Sequence, residues 1–145
     1  MTIDPKYLSE LISRALAEDV GTGDITTQST VPQETVISGR FIAKSAGILC
    51  GTEVAKAVFA YIDPQVVMET FFHDGCTVKK GDILGEVTGR APSVLTGERL
   101  ALNLMQRLSG IATRTRQAVD EVKGYPTRII DTRKTTPGMR KMEKY

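Results

Sequence analysis

One amphipathic tract, from about Ser93 to Val122, sets the terms on which this 145-residue chain can fold. Val94, Ala101, Leu104, Leu108, Ile111, Ala112, Ala118, Val119 and Val122 recur at helical spacing and predict a single long helix with an apolar stripe. Arg99, Asn103, Gln106, Arg107 and Gly110 fall on another side at the same spacing. Asn and Gln in regular register on an apolar helix read as a packed interface. Ser109-Gly110 weakens the helix locally and is expected to bend it. Lys123-Gly124-Tyr125-Pro126 ends it.

Before the tract, Leu8, Leu11, Ile12, Ala15 and Leu16 form a helical stripe over Pro5 to Val20, with Asp4 as cap, Pro5 in the first turn and Gly21 as the stop. Gly21 to Thr27 reads as a structural loop. Its two glycines are a weak phosphate signal, because no strand precedes them and the helix lies before rather than after. Glu34 to Leu49 alternates and is rich in Val, Ile and Phe, which predicts a strand bending near Ser45-Ala46-Gly47. Thr52 to Tyr61 fits a short helix carrying Val54, Ala55, Val58 and Phe59, and Val66 to Phe72 the next strand. His73, the only histidine, has no second histidine or cysteine at ligand spacing and reads as a strand-end surface residue. Asp74 to Val87 predicts two short strands around a Lys-Gly-Asp turn. That stretch resembles the half-motif of lipoyl and biotinyl carrier domains, but the attachment tripeptides Asp-Lys-Ala and Met-Lys-Met are absent. It therefore reads as architecture alone.

After the tract, Thr127 to Asp131 predicts a strand centred on the buried β-branched pair Ile129-Ile130. Pro137-Gly138 suits positions i+1 and i+2 of a type II turn. Between them, Arg133 and Lys134 stand just past the strand's carboxyl end, where functional groups collect in α/β sheets and barrels. Arg suits a carboxylate and Lys a phosphate oxygen, with Thr hydroxyls and free N–H groups completing an anion cradle. On residues alone, an anion site and a solvated loop both stand open.

Charge sharpens the choice of ligand. Residues 1–99 carry 9 basic and 13 acidic side chains, whereas residues 100–145 carry 10 basic and 4 acidic. With no Trp and no aromatic–basic interleaving, this favours a small anionic substrate over nucleic acid. Hydrophobic content of 41% with 25% charged residues describes a folded globular chain. Cys50 and Cys76, far apart and without Cys-x-x-Cys spacing, read as free thiols in a reducing compartment rather than a zinc site. No apolar run reaches membrane-spanning length and no signal-like N-terminus is present, so a cytoplasmic location is expected.

Three blocks then occur in order: Glu18-Asp19-Val20-Gly21-Thr22-Gly23-Asp24-Ile25-Thr26-Thr27, the run from Gly97 to Thr113, and Asp131-Thr132-Arg133-Lys134-Thr135-Thr136-Pro137-Gly138. Together they closely resemble the quinolinate phosphoribosyltransferase family, the carboxylating nicotinate-nucleotide pyrophosphorylases of NAD biosynthesis. The resemblance spans nearly the whole chain but only the N-terminal portion of a family member. It implies an α+β N-terminal sandwich domain with connecting helix over residues 1–110, then the beginning of a C-terminal α/β barrel over residues 111–145. Charge balance and strand spacing also place a boundary between residues 100 and 125. In the family, a Gly-rich Asn-His-Arg segment, a further lysine and acidic residues serving the ribose and metal follow.

The resemblance also implies an activity. A glycosyltransferase of the pentosyl class would join quinolinate to phosphoribosyl pyrophosphate with Mg²⁺, releasing pyrophosphate and carbon dioxide and forming nicotinate mononucleotide. Lys134 and Arg133 would be catalytic, with Arg99, Thr132, Arg133 and Lys134 binding substrate and no metal ligand in this part of the chain. Arg99 would enter the neighbouring subunit's site in a homodimer or higher oligomer; against this stands a surface pair with Glu98. With an unfinished barrel, the 145 residues alone are expected to be poorly stable or associated, and inactive. A related phosphoribosyltransferase of the same fold, a carrier-like module and a dimerisation fragment are the competing readings.

Overall fold

Asp4 accepts a hydrogen bond from Lys6 N at 3.0 Å and starts α1, Pro5–Val20, which stops at Gly21 as expected. In the computed structural model, which describes residues 3–21 and 23–145, there follow α2 (Ile25–Thr30), β1 (Val36–Ile42), β2 (Gly47–Ile48), α3 (Thr52–Ile62), β3 (Val67–Thr70), β4 (Thr77–Val78), β5 (Ile83–Arg90), α4 (Ala91–Glu121) and α5 (Arg140–Lys144). The fold is α+β. β5 is the centre of an antiparallel sheet of order β1-β5-β3, and β2 pairs separately with β4. Phe41 lies opposite Gly85 but Ile42 opposite Ile83, a bulge that bends the edge of the sheet.

Helix α4 is the spine. Val94, Leu100, Ala101, Leu104, Met105 and Leu108 are buried against α3 and the sheet, and Phe41 meets Phe59 edge to face at 6.2 Å in the same core. Close approach of α3 and α4 depends on Gly97. A Cβ there would lie 2.8 Å from two ring carbons of Phe59. Two polar residues of α4 serve the short strand β2: Thr113 Oγ1 accepts from Ile48 N at 2.8 Å, and Ser109 Oγ accepts from Cys50 N at 2.9 Å and donates to Cys50 O at 3.1 Å. Asp63 ties the end of α3 to the β5–α4 junction through Gln65 N, Ser93 Oγ and Arg90, which together hold its carboxyl below the usual range.

The structure corrects several expectations. The loop expected over Gly21 to Thr27 is interrupted by α2, because Asp24 accepts from Thr27 N (3.1 Å) and Thr27 Oγ1 (2.7 Å) and caps a helix at Ile25; Thr22 lies outside the described residues. The bending strand over Glu34 to Leu49 is two strands in different sheets. The two strands expected in the Asp74–Val87 stretch are present as β4 and β5, around a turn in which Asp82 N donates to Lys79 O at 3.1 Å, and they join different sheets. The apolar stripe of α4 is buried only as far as Leu108, and Val119 is 40% exposed, because the last turns of the helix run past the sheet. Most consequentially, Ile129-Ile130 forms no strand, and Ile130 is 84% exposed. Among the described residues no strand lies beside it, so its backbone groups have no ladder to join.

Candidate functional site

The segment after α4 returns to the body of the molecule at α5, where Met142 is fully buried. Pro137-Gly138 makes the expected turn: Met139 N donates to Thr136 O at 3.0 Å, with Gly138 at φ +79°. Tyr7 OH donates to Gly138 O at 2.8 Å, and Lys141 sits over the Tyr7 ring and 3.8 Å from Asp4. The last residue is tied as well. Tyr145 OH donates to Asp74 Oδ2 at 2.9 Å, while the same carboxylate accepts from Gly51 N and from Thr52 N and Oγ1 at the start of α3. Burial and the Asp74 carboxylate raise the Tyr145 phenol above its ordinary value.

Between these anchors runs the loop carrying Thr132, Arg133 and Lys134. Lys134 N donates to Thr132 Oγ1 at 3.1 Å, and Thr135 N to Arg133 O at 3.0 Å. Arg140 clamps the loop from behind, donating through Nη2 to Arg133 O and through Nε to Thr135 Oγ1, both at 3.0 Å. Lys144 pairs with Asp131. The backbone is thus held at several points. Among the described residues, no hydrogen bond or ion pair engages the Arg133 guanidinium or the Lys134 ammonium. Two uncompensated cations on a pinned loop are equipped to receive an anion.

Arg99 stands elsewhere. It lies 3.5 Å from Asp19 at the C-terminal end of α1 rather than pairing with Glu98. The loop reaches α1 at its other end, through Tyr7 and Asp4. Asp4 and Asp19 are about 22 Å apart at 1.5 Å rise per residue. One chain therefore does not bring Arg99 to the turn that closes the Arg133–Lys134 loop.

Arg107, which spacing placed on the polar side of the long helix, and Glu143, which no pattern singled out, complete the loop's frame. Glu143 Oε1 accepts from Arg107 Nε at 3.1 Å and from Arg107 Nη2, and its Oε2 accepts from Thr136 N at 3.1 Å. Arg107 Nη2 also donates to Thr136 Oγ1. Hydrogen bonds from Arg107 first, then from Thr136, hold the Glu143 carboxyl down at about 2. A signal for Glu143 was present: it is the one acid in the basic run from Thr132 to Tyr145. His73 is exposed beside Cys76, with Nδ1 3.3 Å from the sulfur, and takes no part in this site.

Comparison with known proteins places these observations. A model of the quinolinate phosphoribosyl transferase N-terminal domain matches residues 24–109, and one of the C-terminal domain of the same enzymes matches residues 111–145. A probable nicotinate-nucleotide pyrophosphorylase (carboxylating) of Bacillus subtilis is 44% identical over 138 residues, covering 95% of this chain and 47% of the relative. A chloroplastic counterpart from Arabidopsis thaliana is 42% identical over 97% of this chain and 40% of its own length. The crystal structure of NadC from Streptococcus pyogenes superposes with a TM-score of 0.95 at 36% identity, over 100% of this chain and 52% of that one. The nicotinate-nucleotide pyrophosphorylase of Francisella tularensis gives 0.93 at 35%, over 99% and 51%. The chain spans about half the length of the relatives it matches.

Proposed function

The chain belongs to the quinolinate phosphoribosyl transferase family, and we propose that it is the N-terminal part of an enzyme that transfers the phosphoribosyl group of phosphoribosyl pyrophosphate to quinolinate with decarboxylation. Residues 1–110 form its sandwich domain with connecting helix and residues 111–145 open its barrel. The product is nicotinate mononucleotide, formed with pyrophosphate and carbon dioxide in NAD biosynthesis in the cytoplasm. The observation that carries this reading is the pair of uncompensated cations, Arg133 and Lys134, on a loop held from behind by Arg140.

The chemistry asks for such a loop. Quinolinate is a dianion and the donor carries a phosphate and a pyrophosphate, so cations must converge on them in a water-poor site. Arg133 clamps a quinolinate carboxylate, Lys134 contacts substrate or phosphoribosyl oxygens, and Thr132 supports both through the Lys134 N–H. The ring nitrogen attacks the ribose C1 as pyrophosphate leaves. The resulting pyridinium stabilises the electron pair left on C2 when its carboxylate departs as carbon dioxide, and a proton from solvent then fills that position. Holding the reactants in line supplies much of the rate. Arg99 completes the site from a second copy, since within one chain it lies at the far end of α1.

Mg²⁺ enters the proposal only through the donor's pyrophosphate. Among the described residues no three His, Cys, Asp or Glu side chains converge, so they do not fit a metal cage, and no step assigned to them runs through the ion.

Carbon dioxide release from carboxyl-labelled quinolinate with phosphoribosyl pyrophosphate tests the reading. A family-length enzyme containing residues 1–145 releases label in step with pyrophosphate, and Arg133→Ala abolishes release. The 145-residue chain alone releases none. Transfer to nicotinate without carbon dioxide would assign the enzyme to a related phosphoribosyltransferase instead.

A further inference from the structure

The ring of hydrogen bonds joining Arg107, Glu143 and Thr136 ties α4 to a distant part of the chain, the cationic loop and the α5 that follows it. Both carboxylate oxygens of Glu143 are engaged, one by the Arg107 fork and one by the Thr136 backbone N–H at 3.1 Å. Thr136 is held twice, because its hydroxyl also accepts from Arg107. The neighbouring Pro137 has a fixed φ, and Gly138 takes φ +79° in the turn. Toward the chain's start, Arg140 holds Arg133 O and Thr135 Oγ1. The loop is therefore gripped on both sides of Lys134 by groups that leave the Arg133 and Lys134 side chains free.

Glu143 does more than dock α5. Met142, fully buried beside it, already anchors that helix through apolar contact. Docking would need only the Arg107 pair; the second oxygen on Thr136 N connects the dock to the loop. Charge gives a second reason. Arg107, Arg133, Lys134, Arg140, Lys141 and Lys144 crowd one region, and Glu143 neutralises Arg107 there. Arg107 is thereby committed to the frame and does not compete for the anion.

We propose that Arg107 and Glu143 are positioning residues, which act through Thr136 to set the orientation of Arg133 and Lys134 toward the anionic substrate. The role rests on the reading of that loop as the quinolinate and phosphoribosyl site. Glu143→Gln is the informative variant. Its shape is preserved, but one of its two acceptor atoms becomes an NH₂ that must face either the Arg107 fork or the Thr136 N–H, and donors cannot satisfy each other.

In the family-length enzyme, Glu143→Gln lowers kcat/KM for quinolinate by about 10- to 100-fold, as expected for a small displacement of a binding group. The melting temperature shifts by only a few degrees, and the Thr136 amide exchanges with solvent faster. Arg107→Lys, which keeps the charge but not the fork, gives the same pattern. Met142→Ala, which removes the apolar anchor and leaves the ring intact, lowers the melting temperature more and kcat/KM less. Wild-type kcat/KM in Glu143→Gln overturns the role, as does Met142→Ala being the more damaging to kcat/KM. A wild-type enzyme that releases no carbon dioxide from quinolinate overturns the substrate reading and the role together, whereas an active wild type with an unimpaired Glu143→Gln overturns the role alone.

Discussion

Cys50 and Cys76 carry the same thiol in opposite settings. Cys50 is 8% exposed beneath α4, and burial, reinforced by Asp74, pushes its thiol up to about 11. At pH 8 only about one molecule in a thousand carries the Cys50 thiolate. Iodoacetamide at that pH is expected to alkylate Cys76 and spare Cys50, read by peptide mass; equal labelling would refute the burial. Glu143 predicts an acid transition. Its carboxyl is depressed to about 2 from an ordinary 4.5, so its stabilising contribution is complete above the ordinary value. That contribution is lost as pH falls from about 4.5 toward about 2. Amide spectra should show Thr136 leaving its bonded position in that window, and Glu143→Gln should show no such transition.

At the scale of elements, the joint between α3 and α4 leaves no room for a side chain at Gly97. Gly97→Ala forces the buried Phe59 ring aside, since the new carbon would meet it at 2.8 Å. Overpacking of this kind costs about 1–3 kcal/mol, measurable by denaturant unfolding, and an unchanged midpoint would show that the joint is slack. Helices α1, α3 and α4 were legible because apolar spacing, and in α1 the Asp4 cap, act within one segment. The short strands were not. Whether a two-residue run such as Gly47–Ile48 is a strand depends on Thr77–Val78 and on Thr113 of α4 meeting its backbone, with Ser109 holding Cys50 just beyond it. Helix α2 carried a local signal in Asp24, which the glycines around it obscured.

For the whole molecule, the separation of Arg99 from the Arg133–Lys134 loop along α1 is the main finding. If each site is completed by a second copy, an Arg99→Ala chain and an Arg133→Ala chain are each inactive alone at family length. Mixed and reassociated, they should recover roughly a quarter of the wild-type rate, because half of the dimers are mixed and each mixed dimer rebuilds one of two sites. No recovery from correctly mixed dimers would place Arg99 and the loop in the same chain's site. No helix among the described residues is long and apolar enough to cross a membrane.

The candidate cations at Arg133 and Lys134, helices α1, α3 and α4 and the Pro137-Gly138 turn were within reach of the residues alone, because each is a local matter of side-chain chemistry, capping or spacing, whereas Arg99 entered only through the family resemblance. Three things were not. The pairing of β5 with both β1 and β3 joins segments far apart in the chain. The exposure of Ile130 reflects the lack of a neighbouring strand rather than any property of isoleucine. The frame of Arg107, Glu143 and Thr136 exists only once α5 has folded back onto α4. Composition and periodicity say which groups are present and which face they share; only tertiary contact decides which backbone they hold.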